Sequence, residues 1–226
     1  MRDSYQRFFA NGYISKQDFF EFGLKETIYA PYEKAEKEWE DLKSRIHTNQ
    51  PAYIRGFGRD AAGTHLFIAY YEKLLGNSSV KKDPTNNARP TKLIRDLTGY
   101  SKTRNSKFEP ICNYQVSHIF GRTKNIFAFT APWNIVYMPK LLDPFTGHEA
   151  KGAMVSEFTS LFQRQSYARF GKLIDDFNEL ISSPKFVARM SSCLGELQSD
   201  QTIQESDFRK FEQAVEQEFQ PIVIYS

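Results

Sequence analysis

Two histidines and an asparagine, His118, Asn134 and His148, fall in order inside the stretch Ile111 to Gly152, separated by apolar runs. An imidazole whose ordinary pKa lies near neutrality suits proton transfer and metal ligation, and a carboxamide suits cation binding or hydrogen bonding to main chain. The spacing asks for elements that bring the three together. Tyr114 and Val116, followed by Ile119 and Phe120, predict a strand that ends at Ser117 and His118; Trp133, Ile135, Val136 and Tyr137 predict a second. The loop between them carries Arg122 and Lys124, placed to grip phosphate. Asp143-Pro144 predicts a turn, and Thr146 with Glu149 three residues on fits a capping box, which puts His148 in the first turn of a helix.

The flanks supply the frame. Ser15 is placed to cap a short helix through Phe19, Phe20 and Leu24, and Tyr32, Ala35, Trp39, Leu42 and Ile46 recur at three- and four-residue steps in the next helix. Leu66, Phe67, Tyr70, Tyr71, Leu74 and Leu75 define another, with Asp60 as its cap and Gly76 as its end; His65, inside that apolar pattern, reads as structural. After Gly152 the apolar residues again follow helical spacing, broken at Pro184, and PIVIYS reads as a terminal strand. Cys112 and Cys193 are too few for a four-thiolate zinc site and read as free thiols, so no structural zinc is expected.

The net charge of +3 is mild, but its distribution is uneven. Between Lys81 and Lys107 the basic residues Lys81, Lys82, Arg89, Lys92, Arg95, Lys102, Arg104 and Lys107 face only two acids, Asp83 and Asp96. Such a local excess is what a phosphate-binding surface needs, since neutralised backbone charges release counterions. The segment from Asn77 to Pro110, rich in Lys, Asn, Ser and Thr and interrupted by prolines, is therefore expected to be a largely looped DNA-contacting arm with one short helical piece, TKLIRDLTGY.

The central stretch resembles the HNH (His-Asn-His) nucleases, whose core is the ββα-metal finger. His118 in VSHIFGR, Asn134 in PWNIVYMPK and His148 in TGHEAKG match the family's first histidine, asparagine and last histidine in order and in predicted structure. The resemblance implies catalytic roles for His118, Asn134 and His148. His118 would be the general base toward water and His148 a ligand of Mg²⁺, Mn²⁺ or another divalent cation. Asn134 would either join the metal or fix the loop that orients His118. Ser117 stands where the family often has Asp or His beside the base, so Ser117 and Glu149, or Asp143, are the candidate oxygen ligands. The zinc-binding cysteine pairs of many relatives are missing.

The expectation is an α+β protein, a mostly helical scaffold around a central ββα-metal finger. It divides into a helical region over 1–76, the basic segment 77–110, the nuclease core 111–165 and a helical region 166–226, packed as one domain. The resemblance implies a sequence-specific, restriction-type endonuclease of double-stranded DNA, acting as a homodimer. The other reading is a DNA-binding protein with a non-cleaving ββα finger. No leader-like start and no apolar stretch long enough to span a bilayer occur, so the expected location is cytoplasmic, away from membranes.

Overall fold

A computed structural model describes residues 3–57, 62–104, 106–146 and 150–224. The chain opens with α1 (Ser4–Ala10), α2 (Lys16–Lys25) and α3 (Tyr32–His47), then alternates short strands and helices: β1 (Ala52–Ile54), α4 (Ala62–Leu75), β2 (Val80–Lys82) and α5 (Ala88–Thr98). It continues through β3 (Tyr100–Ser101), β4 (Glu109–Pro110), β5 (Tyr114–His118) and β6 (Ile135–Pro139) into a 3₁₀ turn over Lys140–Phe145. Three helices close it: α6 (Ala153–Ser182), α7 (Pro184–Gln198) and α8 (Glu205–Glu218). The strands form three separate pairs, β1 with β2 and β3 with β4 in parallel, β5 with β6 antiparallel. The protein is α+β and mostly helical.

Local chemistry accounts for most helix boundaries. The Ser15 hydroxyl accepts the Asp18 amide at 3.0 Å and donates to the Asp18 carboxylate at 2.6 Å, so α2 starts where a cap was expected. In α3 the residues Ala35, Trp39, Leu42 and Ile46 are all buried, as their spacing requires. Trp39 packs edge-on to Trp133 at 5.8 Å, and Trp133 meets Phe177 of α6 at 5.2 Å, so α3, the β5–β6 loop and the C-terminal helices share one core. α6 bends at Phe170, whose backbone (φ −125°, ψ 17°) leaves the helical region.

β6 has every residue buried because it is paired on both edges. Its Ser117↔Val136 and His118↔Ile135 register faces β5 on one side; on the other, Ile28 and Tyr137 exchange N–H to carbonyl bonds of 2.8 and 3.0 Å. That second bridge satisfies main-chain groups of Tyr137 that the β5 pairing leaves over.

Three expectations need correction. Residues 77–110 are not chiefly a loop: β2, α5, β3 and β4 occupy much of them, and Asp83 is the reason. Its buried carboxylate accepts the amides of Thr85, Ala88 and Arg89 at 3.0, 2.9 and 2.7 Å, which organises the start of α5. The helix expected from Thr146 starts instead at Ala153, and Thr146 Oγ1 donates to the Asp143 carbonyl at 3.0 Å rather than capping it. Residues 221–224 form no strand; the main chain at Ile222 bonds to the Asn178 carboxamide, which donates to and accepts from it at 2.9 and 2.8 Å. Asp60, the expected cap of α4, lies outside the described residues.

Candidate active site at the end of β5

His118 ends β5, as its sequence predicted, and is partly buried. Its Nε2 lies 3.0 Å from the Phe129 carbonyl, and its ring stacks on Phe129 at 5.5 Å and 13°. A carbonyl only accepts, so Nε2 carries the proton and Nδ1 keeps the lone pair. Burial pulls the imidazole pKa down to about 4, partly offset by the Phe129 bond; the positive charge of Arg55 pushes the same way as burial and the Asp83 carboxylate pushes back. The ring is therefore neutral at physiological pH, with Nδ1 able to accept a proton.

The loop from Ile119 to Asn134 is held from within by Asn134, which is fully buried. Its Oδ1 accepts the Phe120 amide at 2.9 Å, while Nδ2 donates to the carbonyls of Gly121 and Ala128 at 2.9 and 3.0 Å. Both amide hydrogens and the oxygen are thus engaged on main chain, and the side chain reaches no solvent. Of the two roles implied for Asn134, the geometry supports loop fixing; its place as a metal ligand is corrected, because the side chain is fully buried with its oxygen turned to the Phe120 amide of its own loop.

Ser117 lies beside the base in sequence, but its hydroxyl turns the other way and donates to Thr146 Oγ1 at 2.8 Å. Two residues earlier on the same strand face, the Gln115 carboxamide donates to Asp143. These bonds tie the chain leading to residue 147 against β5. His148 and Glu149 lie outside the described residues. Among the described residues no three His, Cys, Asp or Glu side chains converge as metal ligands. Asn134 and Ser117 are thus bonded within the protein, and the other ligands that the resemblance implies, His148 and Glu149, are not among the described residues.

Arg122 and Lys124 are the clearest correction. Arg122, in left-handed backbone (φ 53°) after Gly121 (φ 66°), donates through its guanidinium to the Gln217 carbonyl of α8. Lys124 pairs with buried Glu218 at 3.2 Å. The same carboxylate accepts the Lys124 and Asn125 amides, each at 3.0 Å, and Asn125 Nδ2 donates to the Glu218 carbonyl at 2.9 Å. Both cations fasten the loop to the C-terminal helix instead of facing a ligand. Glu218 has no local sequence signal, since its partners lie far away in the chain.

Of the basic residues between 81 and 107, Lys81, Lys82, Lys102, Arg104 and Lys107 are exposed. Lys92 and Arg95 both pair with Asp96, at 2.7 and 3.0 Å. Arg89 lies over the Tyr53 ring at 4.0 Å. The exposed charges fall in two groups along the chain, Lys81 and Lys82 ahead of α5 and Lys102, Arg104 and Lys107 after it. The group at the start of α5 adjoins His118, because the Arg55 amide bonds to the Thr123 carbonyl of the loop at 2.9 Å and the Asp83 amide bonds to the Ile54 carbonyl at 2.8 Å. Arg55 and Asp83 are the neighbours of His118 that sequence reasoning missed; the Asp83-Pro84 turn signal was the only hint.

These observations define a mostly helical α+β protein in which a tethered loop presents a neutral histidine beside a basic surface. Residues 30–224 match the family described as "Uncharacterised protein PM1201", and the chain belongs to that family. It is similar to a protein of Pasteurella multocida (strain Pm70) carrying the same description, 43% identical over 190 residues that make up 83% of each chain. No solved structure matches the chain significantly.

Proposed function

We propose that the protein hydrolyses phosphodiester bonds in nucleic acid, as an HNH-type endonuclease with His118 as general base. The observation that supports this reading most is the clamp on His118: a strand-end imidazole with its Nε2 proton held by Phe129 and its Nδ1 unprotonated. Asn134 holds the loop that supplies the Phe129 carbonyl, which is one of the roles the HNH resemblance implies for it. Nδ1 takes a proton from water, the resulting hydroxide oxygen bonds to phosphorus, and the bond from phosphorus to the leaving sugar oxygen breaks; that oxygen leaves with a proton from solvent. Arg55 and Lys82, near the ring and at the end of β2, hold the flanking phosphates.

No step above is routed through a metal, because His148 and Glu149, the ligands that the resemblance implies, lie outside the described residues. The requirement for Mg²⁺ or Mn²⁺ that the resemblance implies, the restriction-type specificity for double-stranded DNA and a homodimer that cuts both strands belong to the same proposal. A second reading, DNA binding without cleavage, is favoured by one observation: Ser117 and Asn134 are bonded to the protein itself.

Incubation of plasmid with the purified chain tests the proposal. Nicking or linearisation in Mg²⁺ or Mn²⁺, its loss on adding EDTA, and its loss in His118→Ala with DNA binding retained are the expected results. Binding without cleavage in every divalent metal establishes the second reading. Because the imidazole loses its proton at about 4, the rate is expected to be level around neutrality and to fall only as pH drops through about 4. An acid limb near the ordinary histidine value of 6.5 instead would remove His118 as the base.

A further inference from the structure

A cleft of about 570 Å³ opens between α3, β1 and α5. Leu42, Ala52, Leu93 and Leu97 give it apolar walls, while Arg45, Glu38, Tyr53 and Arg89 supply the polar ones. The Arg89 guanidinium carbon lies 4.0 Å from the Tyr53 ring centroid, which gives the cleft two planar groups of the kind on which an unstacked base stacks. Arg45 and Glu38 are joined by one bond of 2.8 Å, from a single guanidinium nitrogen to Oε1. That bond uses one guanidinium hydrogen and one carboxylate oxygen, so further donors on Arg45 and the Oε2 acceptor of Glu38 belong to the same pair in the cleft lining. The other carboxylate of the cleft, Asp96, is engaged by both Lys92 and Arg95.

We infer that this cleft is a nucleobase pocket whose Arg45–Glu38 pair selects guanine, stacked against the planar groups of Arg89 and Tyr53. Guanine is the base that presents two acceptors, N7 and O6, for a guanidinium and, on its adjoining edge, N–H donors for a carboxylate. Adenine offers a donor where Arg45 needs an acceptor, and a pyrimidine has less ring area to stack. Thr130 lines the cleft, and its chain neighbour Phe129 bonds to His118, so one peptide joins the cleft wall to the candidate base. This places base preference in a side pocket next to the candidate base, and it rests on the nuclease reading only for which phosphate is presented to His118.

Calorimetric titration of the full chain with GMP, AMP, CMP and inorganic phosphate tests the pocket directly. GMP is expected to bind tightest, and Arg89→Ala and Glu38→Gln are each expected to weaken it about tenfold, within the usual range for one base contact. Circular dichroism confirms that each variant is folded; if Arg89→Ala is not, Glu38→Gln alone decides. Equal affinity for the three nucleotides, phosphate binding as tight as GMP, no GMP binding, or a folded Glu38→Gln with unchanged affinity overturns the inference. Plasmid cleavage by the same preparation separates the two ideas. GMP binding without cleavage keeps the pocket and removes the nuclease, and cleavage without base preference does the reverse.

Discussion

The loop over residues 119–134 and the segment over 81–107 both set basic residues beside turn residues, the first within a mostly apolar sequence and the second within a polar one, and they are built in opposite ways. In the first, Asn134 and Glu218 absorb the main-chain amides, and Arg122 and Lys124 turn inward to α8. In the second, Asp83 absorbs the amides at the start of α5 while Lys81, Lys82, Lys102 and Arg104 stay exposed. A cation next to a candidate catalytic residue is thus no guide to which cation meets a ligand. What decides is whether a buried carboxylate or carbonyl lies within its reach, because leaving such a partner unpaired costs more than losing one exposed charge.

Three measurements sharpen that contrast. The largest effect is expected from Asn134→Ala, which removes the partner of the Phe120 amide and of the Gly121 carbonyl in a buried loop, while the Ala128 carbonyl keeps the Ala131 amide; the loss should be on the order of 2–4 kcal/mol in urea denaturation. A loss below about 1 kcal/mol would mean that water replaces the side chain and that the loop is not held by it. Glu218→Ala comes next, at about 2 kcal/mol, because it removes the partner of the Lys124 amide and ammonium, while the Asn125 amide keeps the Arg122 carbonyl. Its companion readout is the ¹⁵N spectrum, where the Lys124 and Asn125 amides should move while those of β2 stay in place.

The smallest stability effect belongs to the exposed region. Reversing Lys81 and Lys82 to Glu should change stability by about 0.5 kcal/mol or less. If the nucleic-acid reading holds, the same pair lowers the slope of log affinity against log salt by about 1 per residue removed, whereas Lys124→Ala leaves the slope alone. A slope that responds to Lys124 and ignores Lys81 and Lys82 would reverse the comparison between the two regions.

Much of the scaffold was legible along the chain. The spacing of Ala35, Trp39, Leu42 and Ile46, the Ser15 cap, the stop at Gly76 and the break at Pro184 are local signals with local causes, and the helices follow them. The strand ending at His118 was equally clear from its apolar neighbours. The α6 start was misread because Thr146 and Glu149 match a cap by type, while the hydroxyl of Thr146 is instead taken up by Ser117 and the Asp143 carbonyl. PIVIYS has strand composition, but its described residues 221–224 form no strand and the main chain at Ile222 bonds to Asn178.

By itself, then, the sequence determined the helical frame, the strand that carries His118 and the excess of positive charge before it, since each depends on periodicity or composition within a few residues. Tertiary structure alone decided what those side chains face. It buried the Asn134 amide in its own loop, set Glu218 against Lys124 and Arg122 against Gln217, and drew Arg55 and Asp83 to His118 from distant strands. Those outcomes turn on distances between segments far apart in the chain, and on desolvation, which no local pattern records.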